Sequence, residues 1–122
     1  MLTPAPGTRV YVATGVTDMR KSFTGLAAAA QHVIEQDPMS GHLFAFCNRR
    51  RNLLKVLYWD GSGYLVLAKR LSRGTFAWPS PQPDATHVTL TGEELSWILG
   101  GLDLSQAERR AWWRRPPHLH AS

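Results

Sequence analysis

Positive side chains with phosphate-binding chemistry crowd two short stretches of this sequence. NRRRN, residues 48 to 52, carries Arg49, Arg50 and Arg51, and KRLSR, residues 69 to 73, carries Lys69, Arg70 and Arg73. Arginine and lysine in such density suit contacts to nucleic-acid phosphates, which set position rather than read sequence. Arg20 and Lys21 form a third basic pair close to a predicted helix start, where cations oppose the helix dipole unless an anion sits between them. The plainer alternative is a solvated sheet edge whose charges discourage strand-to-strand aggregation.

Other chemistries find less support. Cys47, the one cysteine, falls in a predicted strand with no histidine or third group arranged beside it, so an inert buried thiol is expected. The nine acidic residues are scattered, and Asp18, Asp37 and Asp60 fall at turns or caps. His118 and His120 have metal-like spacing, but they sit in a proline-rich terminal stretch. GSGYLVLAKR lacks the Gly-Lys-Ser/Thr pattern and the following helix of a phosphate loop. No catalytic residue, metal or cofactor is assigned.

Fourteen Lys and Arg against nine Asp and Glu leave a formal charge of +5 on 122 residues, a balance that favours polyanionic partners. No leader-like apolar segment and no run long enough for a membrane span is read, and the expected setting is a reduced cytoplasm with no membrane partner.

The elements that must position these residues follow from apolar periodicity. Arg9–Ala13 reads as a first strand. A helix capped by Thr17 or Asp18 follows, its stripe formed by Met19, Phe23, Leu26, Ala27, Ala30, Val33 and Ile34, and it ends at Asp37-Pro38. HLFAFC (42–47), LLKVLY (53–58) and YLVLAKRL (64–71) read as three meander strands, with Asp60-Gly61-Ser62-Gly63 as the second turn. That turn sets Trp59 opposite Tyr64 and carries Arg51 alongside Ser72, so the basic residues gather at one end of one sheet. Pro79, Pro81 and Pro83 mark an extended linker over 79–84, and THVTL (86–90) is a short strand. Thr91-Gly92-Glu93-Glu94 has capping-box spacing for a short helix through Leu95, Ile98, Leu99 and Leu102.

The expected fold is α+β: a small antiparallel meander with an N-terminal strand, one main packed helix and a short C-terminal helix. Residues 1–104 form the domain, and 105–122, with the motif RRAWWRRPP, form a basic tail that is expected to be flexible.

The segments VYVATGVTDMRKSFTGLAA and DPMSGHLFAFCNRRRNLLKVLYWDGSGYLVLAKRLSRGTFAWP together resemble the TnpB accessory protein, the second open reading frame product, of insertion sequence 66-type bacterial elements. Thr24, Cys47, Ala68 and Ser72 depart from the family's usual residues. The resemblance implies a non-catalytic role in transposition beside a separate DDE-type transposase. It also implies functional weight at Asp18, Met19, Arg20, Lys21, Arg49, Arg50, Lys55, Tyr58, Trp59, Asp60, Gly61, Lys69, Arg70, Arg73 and Trp78. Combined with the basic clusters, it points to DNA, or the transposase–DNA assembly, as partner through Arg20, Lys21, Arg49, Arg50, Arg51, Lys69, Arg70 and Arg73. The alternative is an adaptor that binds the transposase through aromatic anchors without touching DNA.

Overall fold

The computed structural model describes residues 6–100. Leu102 and the basic tail at 105–122, including RRAWWRRPP, His118 and His120, lie outside the described residues.

Five strands form one sheet in the order β4-β3-β2-β1-β5. They are β1 (Val10–Ala13), β2 (Leu43–Cys47), β3 (Leu53–Trp59), β4 (Tyr64–Arg70) and β5 (His87–Leu90). β2, β3 and β4 make the expected meander, with Trp59 opposite Tyr64 and Leu53 opposite Arg70. β1 runs parallel to β2, because the intervening helix carries the chain back to the end from which β1 started. β5 then closes the other side antiparallel to β1, with Val10 opposite Leu90.

Alternation along the central strands builds two cores. Tyr11, Ala13, Phe44, Phe46 and Leu57 face α1 (Phe23–Ala29) and the π-helical turn Ala30–Ile34 that continues it, meeting Leu26, Ala30 and Ile34. Val10, Val12, Leu43, Ala45, Cys47, Leu54 and Val56 face the opposite way, against Phe76 and the Leu95 and Ile98 side chains of α2 (Gly92–Leu99). A strand covered on both faces has no polar side to present, which is why LFAFC is buried at every position.

The first helix starts later than its sequence suggests. Neither Thr17 nor Asp18 caps it: helical structure begins at Phe23 behind Ser22. Asp18 instead accepts from the Arg20 backbone N–H at 3.0 Å, a local turn that competes with helix initiation. Lys55, reaching up from β3, donates to the carbonyls of Met19 (2.8 Å) and Lys21 (2.9 Å) and fixes this connector on the sheet. The helix also ends early, at Ile34, where Glu35 turns left-handed at φ 62°.

The second helix starts where its spacing says. Thr91 Oγ1 accepts from the Glu94 N–H at 3.1 Å, and Glu94 Oε1 accepts from the Thr91 N–H at 2.9 Å. Thr91→Ala is expected to cost about 1 kcal/mol, seen as a drop of roughly 5 °C in the thermal midpoint. An unchanged midpoint would show that Leu95 and Ile98 hold this helix without its cap.

Candidate nucleic-acid interface

The pairing register brings all eight basic candidates to one end of the sheet. The 48–52 loop joins the ends of β2 and β3, β4 finishes at Arg70 beside it, and the connector carrying Arg20 and Lys21 is tied to β3 by Lys55. The eight then divide by what each side chain does.

Lys21, Arg49, Arg50, Arg70 and Arg73 are exposed and, among the described residues, have no ion-pair or hydrogen-bond partner for their charged groups. The Lys21 stem lies over Gly25, within 3.0 Å of where a β-carbon would stand there. These five give the end its unneutralised charge.

Arg20 is spoken for. Its Nη2 donates to Asp18 Oδ2 at 2.8 Å, and its Nε donates to both carboxylate oxygens at 3.1 Å. Those hydrogen bonds hold the Asp18 carboxyl down at about 2. The sign follows: a depressed carboxylate keeps the pair intact above the ordinary value of 3.8 and releases it as pH falls toward about 2. The pair thus stays closed at neutral pH. Asp18→Asn should free Arg20, tighten binding to a DNA duplex on the order of threefold at low salt, and steepen the salt dependence by up to about one unit. Titration of binding by fluorescence anisotropy checks this; weaker binding would mean that the Asp18 turn itself presents the surface.

Lys69 points along the other face of β4 and donates to the Leu99 carbonyl at the end of α2. A cation at a helix C-terminus satisfies an orphan carbonyl and suits the dipole. Its role in the fold is to hold α2 against the sheet.

Arg51 turns inward. Its backbone is left-handed at φ 58°, closing the loop, and its Nη2 donates to the Thr14 carbonyl at 2.9 Å. The guanidinium lies over the Trp78 ring, 5.7 Å from the centroid, and its buried Nη1 has no hydrogen-bond partner among the described residues. The Arg51 carbonyl accepts from the Phe76 N–H at 2.7 Å, and Trp78 Nε1 donates to the Ala13 carbonyl at 2.9 Å. Arg51 is therefore a strut joining the loop, the end of β1 and the 71–78 segment. Beside it Cys47 is buried, as expected of an inert thiol, and burial pushes that thiol up from its usual value.

The asparagines that bracket the arginines shape the loop, although the basic cluster is the louder signal in the sequence. Asn48 Oδ1 accepts from the N–H groups of Asn52 (3.0 Å) and Leu53 (3.1 Å), while its Nδ2 donates to Asn52 Oδ1 at 2.7 Å. This fastening presents Arg49 and Arg50 outward from a rigid base. The signal was available: asparagine on both sides of a short turn often replaces backbone hydrogen bonds with its own.

Of the aromatics, Phe76 is core, whereas Tyr58, Trp59, Tyr64 and Trp78 are half-buried. Tyr58 and Trp59 lie at the far end of the sheet from Arg49, Arg50 and Arg70. There, with Met39, His42 and Asp60, they line an open cleft of about 500 Å³. Among the described residues no three metal-ligating side chains cluster, and no helix is long and apolar enough to cross a membrane.

The chain is 40% identical over 116 residues to the uncharacterized protein y4hO of Sinorhizobium fredii, covering 95% of this chain and 91% of that one. It is 36% identical over 110 residues to y4jC of the same organism, covering 90% and 92% respectively. No solved structure matches. The family model described as IS66 Orf2-like protein matches residues 8–109, which takes in every strand and both helices of the described residues. The chain belongs to the IS66 Orf2-like family, which ties it to insertion-sequence transposition as an accessory product.

Proposed function

We propose that this protein is a non-catalytic accessory factor in transposition of an insertion sequence 66-type element, and that it binds DNA, or the transposase–DNA assembly, through the basic end of its sheet. The observation that carries the reading is the set of five exposed cations, Lys21, Arg49, Arg50, Arg70 and Arg73, that have no partner among the described residues and are held on a fastened frame. Like charges gathered this closely repel one another, and a polyanion removes that cost. The contacts are to phosphates, so affinity should be strongly salt-dependent and largely indifferent to sequence.

Binding of the purified protein to a labelled terminal inverted repeat and to a scrambled duplex, across a salt series, tests the proposal. Steeply salt-dependent binding to both supports it, and preference for the repeat adds sequence recognition. No binding at low salt overturns direct DNA contact.

The adaptor reading has one observation in its favour, the cleft lined by Tyr58, Trp59, His42 and Met39 at the pole opposite Arg49 and Arg50. Half-exposed aromatics around a concavity suit an apolar anchor from a protein partner. Arg49→Ala/Arg50→Ala separates the two: a DNA binder loses affinity, whereas an adaptor retains the transposase and associates more slowly.

A further inference from the structure

β4 is an edge strand seven residues long, and among the described residues nothing pairs along its outer side. Edge strands in natural proteins are usually blunted by charge, proline or a bulge. Here residues 64 to 68 read YLVLA, five uncharged side chains in unbroken strand. Pairing of Leu65 with Tyr58 and of Leu67 with Val56 places both leucines on the α2 side of the sheet. α2 does not cover them: Leu65 is 47% exposed and Leu67 46%. An apolar stripe thus lies directly beside an open row of backbone donors and acceptors.

The sequence of the edge says what fits it. Leu65-Val66-Leu67 reads the same in both directions, so a second β4 laid antiparallel about Val66 sets Leu65 of each copy against Leu67 of the other. Tyr64 then faces Ala68, Lys69 faces Gly63, and Arg70 faces Ser62. Other registers are worse. Centring on Leu67 puts Leu65 against Lys69, centring on Lys69 sets like charges face to face, and a parallel arrangement brings both basic ends together. In the Val66 register the cations of each copy approach the other's Asp60–Gly63 turn, whose Asp60 is exposed. The Val66 register is the one that sets both leucines of each copy against leucines of the other.

We propose that β4 is the docking edge for a second copy of this chain, joined antiparallel about Val66 into a continuous ten-stranded sheet with the four leucines of the two stripes covering one another. Because the strands oppose, the two basic ends lie at opposite poles of the dimer. If those ends bind DNA, which rests on the function proposed above, the dimer holds two duplex segments at once.

Self-association is measured first on the full chain without nucleic acid, by sedimentation equilibrium over a concentration series. The expected result is a species of twice the chain mass, with Leu65→Lys/Leu67→Lys weakening its formation at least tenfold while retaining the parent circular dichroism spectrum. The register is checked without destabilising substitutions. Leu65→Cys protein mixed with Leu67→Cys protein should form a disulfide-linked pair on oxidation far faster than either protein alone, with Cys47 shielded in the parent. A single chain at every concentration overturns the proposal, as does a dimer indifferent to the lysine substitutions or a cross-link equal in all mixtures. Its failure leaves the DNA reading intact, because no DNA is present. For the two-duplex consequence, a biotinylated duplex should co-capture a second labelled duplex with the parent protein and not with the Leu65→Lys/Leu67→Lys variant, although that variant still binds one; equal co-capture by both overturns it.

Discussion

Alanine at Arg49, Arg50, Arg70 and Arg73 together is expected to cut duplex affinity on the order of a thousandfold at 0.1 M salt, and to flatten the plot of log K against log salt by about 3 to 4 units. Each of the four is exposed and donates to nothing else in the described fold, so removing it takes away a phosphate contact and little besides. Surface substitutions of this kind usually move stability by less than about 0.5 kcal/mol, so the thermal midpoint should barely change. Arg51 is left in place because its guanidinium holds Thr14 and lies over Trp78; including it would confuse lost binding with a loosened loop. A duplex titration at four or more salt concentrations decides the matter. An unchanged slope with weaker binding would move the interface away from this end of the sheet.

The largest expected loss of stability follows from Phe44→Ala. Phe44 is fully buried on β2, stacked on Tyr11 at a centroid distance of 5.5 Å and packed with Leu26, Ala30 and Leu57. Truncating such a ring removes its transfer free energy and leaves a cavity between two secondary-structure layers that can collapse only partly, a cost of about 3 to 5 kcal/mol. Against a total of roughly 5 to 15 kcal/mol for a small domain, that is a large share. Urea denaturation should show a lower midpoint at unchanged slope. A loss below about 1 kcal/mol would mean that α1 and the sheet close over the gap.

What could be read from sequence, and what could not, follows from the range of the interactions. The meander was legible because its turn is local: Asp60 Oδ1 accepts from the N–H groups of Ser62 (2.9 Å) and Gly63 (3.0 Å), the bonds that a DGSG stretch is suited to make. Gathering of the arginines at one end followed from that register alone. The cap of α2 was legible for the same reason. The parallel pairing of β1 with β2 and the placing of β5 against β1 were not, since strand neighbours across tens of residues leave no local signature. The start of α1 lies later than the cap residues predict because Asp18, a good cap by type, spends its carboxylate on Arg20, and Lys55 from a distant strand holds the connector out of the helix. Direction was equally invisible within RRR. Only the left-handed backbone at Arg51 turns the third arginine inward while the first two face solvent.

The closure of β5 on β1 bears on how the chain is made. Val10 finds its partner Leu90 only after the whole intervening sequence has been synthesised. At a translation rate of about 5 to 20 residues per second, the nascent first strand waits roughly 4 to 16 seconds for that neighbour. The second core waits as long, because Leu95 and Ile98, which cover Val12 and Val56, come later still. A product released before His87 would carry a bare strand edge and an uncovered apolar sheet face together, the combination most prone to aggregate. Premature termination before α2 therefore yields a sticky fragment in place of a smaller working domain, and the two cores are complete only once the ribosome has passed α2.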